Sequence, residues 1–259
     1  MRKVGLALAG KSTHGLAHLG VLRFLEQRGW RPVALSGASM GAVIAAGYAA
    51  GLPLDDIAHR FAGFRFRRLL QPQWPSEGFS GHGRLIQELK NYLGDRTFTD
   101  TRIPLSIAAT DFDSGQAYVF TSGSLWEACA AAVSIPVVFK PYPLSGQRLV
   151  DGGLLNNVPT TLLEGQGLDA IVATQLGLAR EREGPVRGLG DAARQALEIL
   201  YSSQSRINES RASLVIRPRV LNWNFLKFDA PELIRRGEEA CQSVEAELKV
   251  LFGSYMAPT

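Results

Sequence analysis

Short, unbroken apolar runs alternate with stretches of helical apolar spacing along most of this 259-residue chain. Residues 4–9, VGLALA, form one such run. Behind it, Leu16, Leu19, Val21, Leu22 and Leu25 recur at the spacing of a helix over 16–28, which stops at Gly29. The pattern continues, with strands expected over 32–36, 105–110, 118–121, 148–150 and 170–175, and helices over 40–50, 125–133, 192–204 and 231–251. A strand without polar alternation is buried on both faces, and strands joined through helices run parallel. The expected fold class is therefore α/β, a mostly parallel sheet covered on both faces. No compositional break marks a linker and no 20–50-residue period recurs, so one domain over 1–259 is expected. Residues 60–96 read as an inserted, less regular segment of it.

Apolar residues are 46% of the chain and charged residues 20%, which excludes a disordered or collagen-like polypeptide. Only two cysteines occur, Cys129 and Cys241, so there is no disulfide framework. They read as reduced thiols of a cytosolic protein. The first apolar run is too short, and is interrupted too early by Lys11, for a secretory signal. No run reaches the ~18 apolar residues of a membrane span. The expected location is cytoplasmic, with any membrane contact peripheral. The net charge of +4 tilts partner choice toward anionic surfaces. No His/Cys/Asp/Glu group has metal-ligand spacing, so neither a metal nor another cofactor is expected. The sequence leaves the oligomeric state open.

Gly37-Ala38-Ser39-Met40-Gly41 is a G-x-S-x-G between an apolar strand and a small-residue helix. That context suits a nucleophile elbow, in which Gly37 and Gly41 leave room for a sharp turn and the helix N-terminus faces the reacting centre. A plain turn with an N-cap serine is the competing reading. The four histidines, His14, His18, His59 and His82, all lie in the first third of the chain. The Ser, Asp or Glu, His order of a conventional α/β-hydrolase is therefore missing. His18 sits beside the apolar stripe of its helix and reads as a core residue, and Cys129 as packing. A carboxylate acting directly on the serine is the alternative, and Asp151 is the best placed. It ends an apolar strand and precedes Gly152 and Gly153, which would let a serine approach. Burial would raise its pKa and make it a better base. An aspartate capping its own turn is the simpler reading of the same residues.

Four ordered blocks resemble patatin-like phospholipases of the bacterial branch grouped with neuropathy target esterase-type proteins. They are residues 6–22, residues 36–42, Ala109-Thr110-Asp111 with residues 128–136, and residues 149–159 with their DGGLLNNVP. The resemblance implies a three-layer α/β/α fold and a Ser–Asp dyad. Ser39 matches the nucleophile and Asp151 the general base. It implies acyl-ester hydrolysis of phospholipid or lysophospholipid through an acyl-enzyme on Ser39. The loop over Gly10, Lys11 and Ser12, closed by Gly15, matches the segment that forms the oxyanion hole.

That loop departs from the family pattern G-G-G-x-R-G. Lys11 and Ser12 stand where glycines are usual, and His14 stands where arginine is usual. Such loops often need positive φ and close approach to substrate, which glycine supplies. Loss of one oxyanion donor costs on the order of 10²–10³ in rate. A catalytically weak protein that binds lipid or a partner is therefore the second reading. Lys11 could alternatively bring positive charge to the oxyanion. The same residues complete a G-x-x-x-x-G-K-S match over 5–12, read as coincidence because its middle is itself the apolar strand. Residues 59–74 mix Arg60, Arg65, Arg67 and Arg68 with Phe61, Phe64, Phe66, Leu69, Leu70 and Trp74. They suit a contact with anionic membrane or a lid over an acyl pocket, or simply core aromatics beneath solvated arginines. Trp223, Phe225 and Phe228 carry the same ambiguity. Nucleic acid is not an expected partner.

Overall fold

The computed structural model describes residues 2–62, 66–72, 77–177, 185–220 and 229–253. Its strands are β1 (Val4–Leu8), β2 (Ala34–Ala38), β3 (Gly78–Ser80), β4 (Leu105–Asp111), β5 (Ala117–Phe120), β6 (Val137–Phe139), β7 (Tyr142–Leu144), β8 (Gln147–Asp151), β9 (Ala170–Thr174) and β10 (Leu214–Ile216). Its helices are α1 (Ala17–Gln27), α2 (Met40–Ala49), α3 (Leu54–Ala62), α4 (Gly83–Leu93), α5 (Leu125–Ala132), α6 (Gly153–Asn156), α7 (Leu189–Glu209), α8 (Ala230–Gln242) and α9 (Glu245–Phe252). The main sheet runs β10-β9-β1-β2-β4-β8-β7, with β5 also paired to β4. From β10 through β4 every pairing is parallel, and β5, β8 and β7 join antiparallel. The mostly parallel, three-layer α/β/α expectation holds.

The two faces of the sheet are built differently. On β1, Val4, Leu6 and Leu8 point into the larger core with Leu19, Leu22, Ile44 and Leu233. The alternate residues Ala7 and Ala9 join Ala34, Ala173, Val158 and Leu163 in a smaller cluster. Small side chains on that face let the 3-10 turn Thr160–Leu163 lie close against the sheet. The period of two that was masked by an all-apolar strand thus reappears as large against small. The larger layer is closed by α1 against α8. There a Cβ on Gly20 would lie 1.9 Å from the Ile234 carbonyl oxygen, and one on Gly237 2.0 Å from that of Ala17.

The expected elements are present with ends shifted by a few residues. The exception is the long helix expected over 231–251, which divides at Ser243 and Val244 into α8 and α9. Stacking of Trp30 on Phe252, centroids 5.8 Å apart, anchors α9 separately. The segment 60–96 is more regular than expected, because it holds β3 and the eleven-residue α4. Leu85, Leu89 and Tyr92 are the buried stripe of α4, a helical spacing visible in the sequence. Both cysteines are buried and unbridged, in keeping with packing roles. Among the described residues no helix is long and apolar enough to cross a membrane.

Gly237→Ala should lower the urea midpoint, since forcing a methyl into backbone costs about 1–3 kcal/mol. Gly190→Ala is the control. It has nothing within 4 Å of the added Cβ, and alanine favours helix by about 0.5–1 kcal/mol, so that midpoint should hold or rise.

Candidate active site

The register of β4 brings the candidate residues together. Ile107 and Ala108 pair with β2 and with β5, so those strands lie on opposite edges of β4. Ala109 and Thr110 pair with β5 and with β8, so β8 shares the edge that β2 occupies. β2 runs up that edge and ends with Ala38 opposite Ala108. β8 runs down it and ends with Asp151 opposite the next residue, Ala109. Ser39, the residue after β2, therefore meets Asp151, the last residue of β8. The Ser39 Oγ–H donates to Asp151 Oδ2 at 2.6 Å across 112 positions of sequence.

Ser39 has φ 50° and ψ −128°, a strained conformation for a residue with a side chain. The turn leaves a strand and enters α2 at once, as an elbow requires. Its glycines make room for crossing backbone. A Cβ on Gly41 would lie 2.2 Å from the Leu8 carbonyl oxygen, and one on Gly37 2.5 Å from Ala42 Cα. Gly15 packs against Met40 and Gly152 against the Ala108 carbonyl in the same way.

Asp151 is 1% exposed. Its Oδ1 accepts the Gly153 N–H at 2.7 Å, its own N–H donates to Ser134 O at 3.0 Å, and its carbonyl accepts from Thr110 Oγ1 at 3.2 Å. Burial raises its pKa from 3.8 to about 6, against the opposing hydrogen bonds from Ser39 and Gly153. No histidine takes part in this hydrogen bond. His18 is buried, its Nε2 2.8 Å from Ala9 O, and desolvation lowers its pKa to about 4, which keeps it neutral. His14 Nδ1 meets Lys11 O, His59 Nδ1 meets Asp55 O, and His82 Nε2 meets Ser134 Oγ. Asp111, from the third motif block, holds its own turn through the N–H groups of Asp113 and Ser114.

The glycine loop lies over the serine. A Cβ on Gly10 would lie 2.8 Å from Ser39 Cβ and from Asn157 Oδ1. The Gly10 N–H donates to the Asn157 carbonyl at 3.0 Å. Lys11 is extended at φ −168° and Ser12 has φ 45°, so one of the two replaced glycines does sit in the left-handed region. The Lys11 side chain turns away to α7, where Nζ meets Glu198 Oε2 at 2.9 Å. The suggestion that Lys11 carries its charge to the oxyanion is corrected by that pairing. Gly5 to Leu8 are strand residues paired on both sides, so the G-x-x-x-x-G-K-S match forms no phosphate loop.

An apolar cleft of about 720 Å³, measured out to its open mouth, begins at Ser39 and Ser12. It runs between α2, α3 and α4, walled by Met40, Val43, Phe61, Leu89, Tyr92 and Phe139. Arg60 and Glu88, an exposed pair 3.5 Å apart, also line it. Of the residues suggested for membrane contact, Phe61 and Leu69 face this cleft and Arg68 is exposed. Phe64, Arg65, Trp74, Trp223, Phe225 and Phe228 lie outside the described residues, as do the side chains of Phe66 and Arg67. Among the described residues no group of three or more His, Cys, Asp or Glu side chains could hold a metal.

Sequence reasoning missed the contribution of α7. It reads as an amphipathic helix, but its buried residues are Ser202, Ser205 and Asn208, while Leu189, Ile199 and Ile207 are exposed. Ser205 Oγ accepts from Asn157 Nδ2 at 2.7 Å, and the Asn208 carbonyl accepts from Thr160 Oγ1 at 2.6 Å. Tyr201 packs its ring edge over Gly153. An inward polar stripe gives no hydrophobic signal, so nothing in the sequence marked it.

Residues 6–163 match the family model for patatin-like phospholipase. An uncharacterized NTE family protein of Mycobacterium tuberculosis is 33% identical over 189 residues, 70% of this chain and 52% of that protein. The lysophospholipase NTE1 of Saccharomyces cerevisiae is 26% identical over 185 residues, 69% of this chain and 11% of that protein. The chain thus spans about half the length, or less, of these curated relatives. VipD from Legionella pneumophila shares the fold, with a TM-score of 0.61 at 15% identity, covering 95% of this chain and 67% of that one. Since that family model spans more than half of the chain, the chain belongs to the patatin-like phospholipase family.

Proposed function

We propose that this chain is a serine acyl-ester hydrolase acting on phospholipid or lysophospholipid esters through Ser39 and Asp151. The 2.6 Å hydrogen bond from Ser39 to a buried carboxylate, at the head of an apolar cleft, carries this reading. Asp151 takes the Ser39 proton as Oγ attacks the ester carbonyl, whose acyl chain lies in the cleft. The tetrahedral oxyanion is met by backbone N–H groups of the glycine loop. Of Gly10, Lys11 and Ser12, the first already donates to Asn157, which leaves the amides of Lys11 and Ser12 as the assigned donors. Collapse expels the leaving alcohol, which receives the proton from Asp151, and Ser39 carries the acyl group. Asp151 then deprotonates water, which attacks the acyl-enzyme, and returns that proton to Ser39 Oγ as its bond to the acyl carbon breaks and the fatty acid leaves. A base with a pKa near 6 suits this cycle better than an ordinary carboxylate would, because it accepts and returns the proton more evenly. Peripheral contact with membrane lipid belongs to the same reading, since the substrate resides there.

The engaged Gly10 amide and the non-glycine Lys11 and Ser12 favour one rival, a lipid-binding member with little turnover. A fluorophosphonate probe with a p-nitrophenyl ester separates the two. The hydrolase should be labelled and should turn over ester, both lost in Ser39→Ala. An unlabelled serine in folded protein would support the binder.

Asp151 must be ionised to act as base, so kcat/KM should climb with pH through a midpoint near 6. A midpoint near 4, or a flat profile between pH 5 and 7, would contradict this assignment.

Asp151→Asn should abolish turnover yet not weaken the fold. The raised pKa means the carboxylate lowers stability as pH rises from 3.8 to about 6, and by a constant amount above that. At pH 8 the variant should therefore unfold at equal or higher urea, with a gain of up to about 3 kcal/mol.

A further inference from the structure

One face of α7 touches the two loops beside the dyad, with polar contacts from Glu198, Ser205 and Asn208. Glu198, Tyr201, Ser205 and Asn208 recur at helical spacing and so share one face. Glu198 meets Lys11 of the glycine loop. Tyr201 lies over Gly153, whose N–H holds Asp151. Ser205 meets Asn157, whose carbonyl holds the Gly10 N–H. The main-chain carbonyl of Asn208 accepts from Thr160 Oγ1. Thus the two loops that flank Ser39, one before it in the chain and one after β8, are both held to a single helix. The helix lies outside the 6–163 match to the family.

We infer that α7 sets the position of the glycine loop relative to the dyad, with Glu198 as a positioning residue acting through Lys11. This rests on the hydrolase reading. Where the family pattern has glycine, this loop has a long cationic side chain, which turns away from Ser39 to α7. Its Nζ is anchored 2.9 Å from Glu198, with the two side chains 21% and 34% exposed. The anchor fixes the Lys11 peptide, and with it the direction of the N–H groups on either side. Ser12, the next residue, sits at φ 45°, a conformation that serine does not hold by preference. An ion pair at the adjacent residue opposes relaxation of that turn. The substitution of glycine by lysine is therefore compensated by a carboxylate 187 positions away in the same chain.

The test uses Glu198→Gln, Lys11→Glu, Glu198→Lys and the double variant Lys11→Glu/Glu198→Lys in the full chain, with two readouts. Amide hydrogen exchange over residues 9–16 does not depend on turnover. It should accelerate in each single variant, and return toward the parent in the exchanged pair, with exchange in β1 and β4 unchanged. In p-nitrophenyl ester hydrolysis, kcat should fall about tenfold in Glu198→Gln with KM held, and recover at least half of the loss in the exchanged pair. Unchanged loop exchange in Glu198→Gln overturns the inference. So does an exchanged pair no better than its singles. If the parent protein neither labels nor turns over, the hydrolase reading fails, while the exchange measurement still decides whether α7 holds the loop.

Discussion

The structure depends on one edge of β4. Two strands of opposite direction share that edge and stop one residue apart, β2 at Ala108 and β8 at Ala109. Backbone hydrogen bonds set this register, and a slip of one residue would turn every side chain of a strand to the other face. The Ser39–Asp151 contact is therefore a property of the sheet ladder before it is a property of either side chain. It explains how a separation of 112 positions needs no further device to bring a hydroxyl to a carboxylate. The sharp backbone of Ser39 and the glycines on either side follow from the same geometry, because the strand has nowhere to continue once β8 occupies the edge.

Electrostatics follow from this placement. A carboxylate at the junction of two buried strands loses water and, among the described residues, receives the Ser39 hydroxyl and the Gly153 amide in exchange. Its pKa therefore rises rather than falls. Around it, polar groups come from the loops, and the apolar cleft opens on the opposite side toward α3 and α4. Ser39 stands between a polar wall and an apolar one, a division suited to an ester that carries a hydrocarbon chain.

The parts of this arrangement legible in the sequence were those enforced locally. Gly37, Gly41, Gly152 and the apolar strands announce themselves, because close backbone approach admits one residue type and buried strands admit few. Asp151 was legible as the end of a strand and the start of a glycine turn, and as the carboxylate best placed to act on Ser39, although a turn cap fitted the same residues; the family resemblance implied the same pair. The inner face of α7 was not legible at all. Its residues are chosen by polar atoms of distant loops, and helical periodicity detects only apolar burial. The destination of Lys11 was hidden for the same reason, since no local rule connects residue 11 to residue 198. Within 59–74, Phe61 and Leu69 face the cleft, an orientation that the mix of aromatics and arginines did not specify.

The position of β9 has a consequence for what counts as the minimal unit. β9 flanks β1 throughout its length, and the match to the family ends at 163, before β9 begins. A polypeptide cut there would leave β1 as a bare strand edge, and would remove the partners of Lys11, Asn157 and Thr160 together with α7. The boundary that similarity draws thus passes through the middle of a hydrogen-bonded sheet. The remaining third of the chain is as much scaffold for the serine as the segment that names the family.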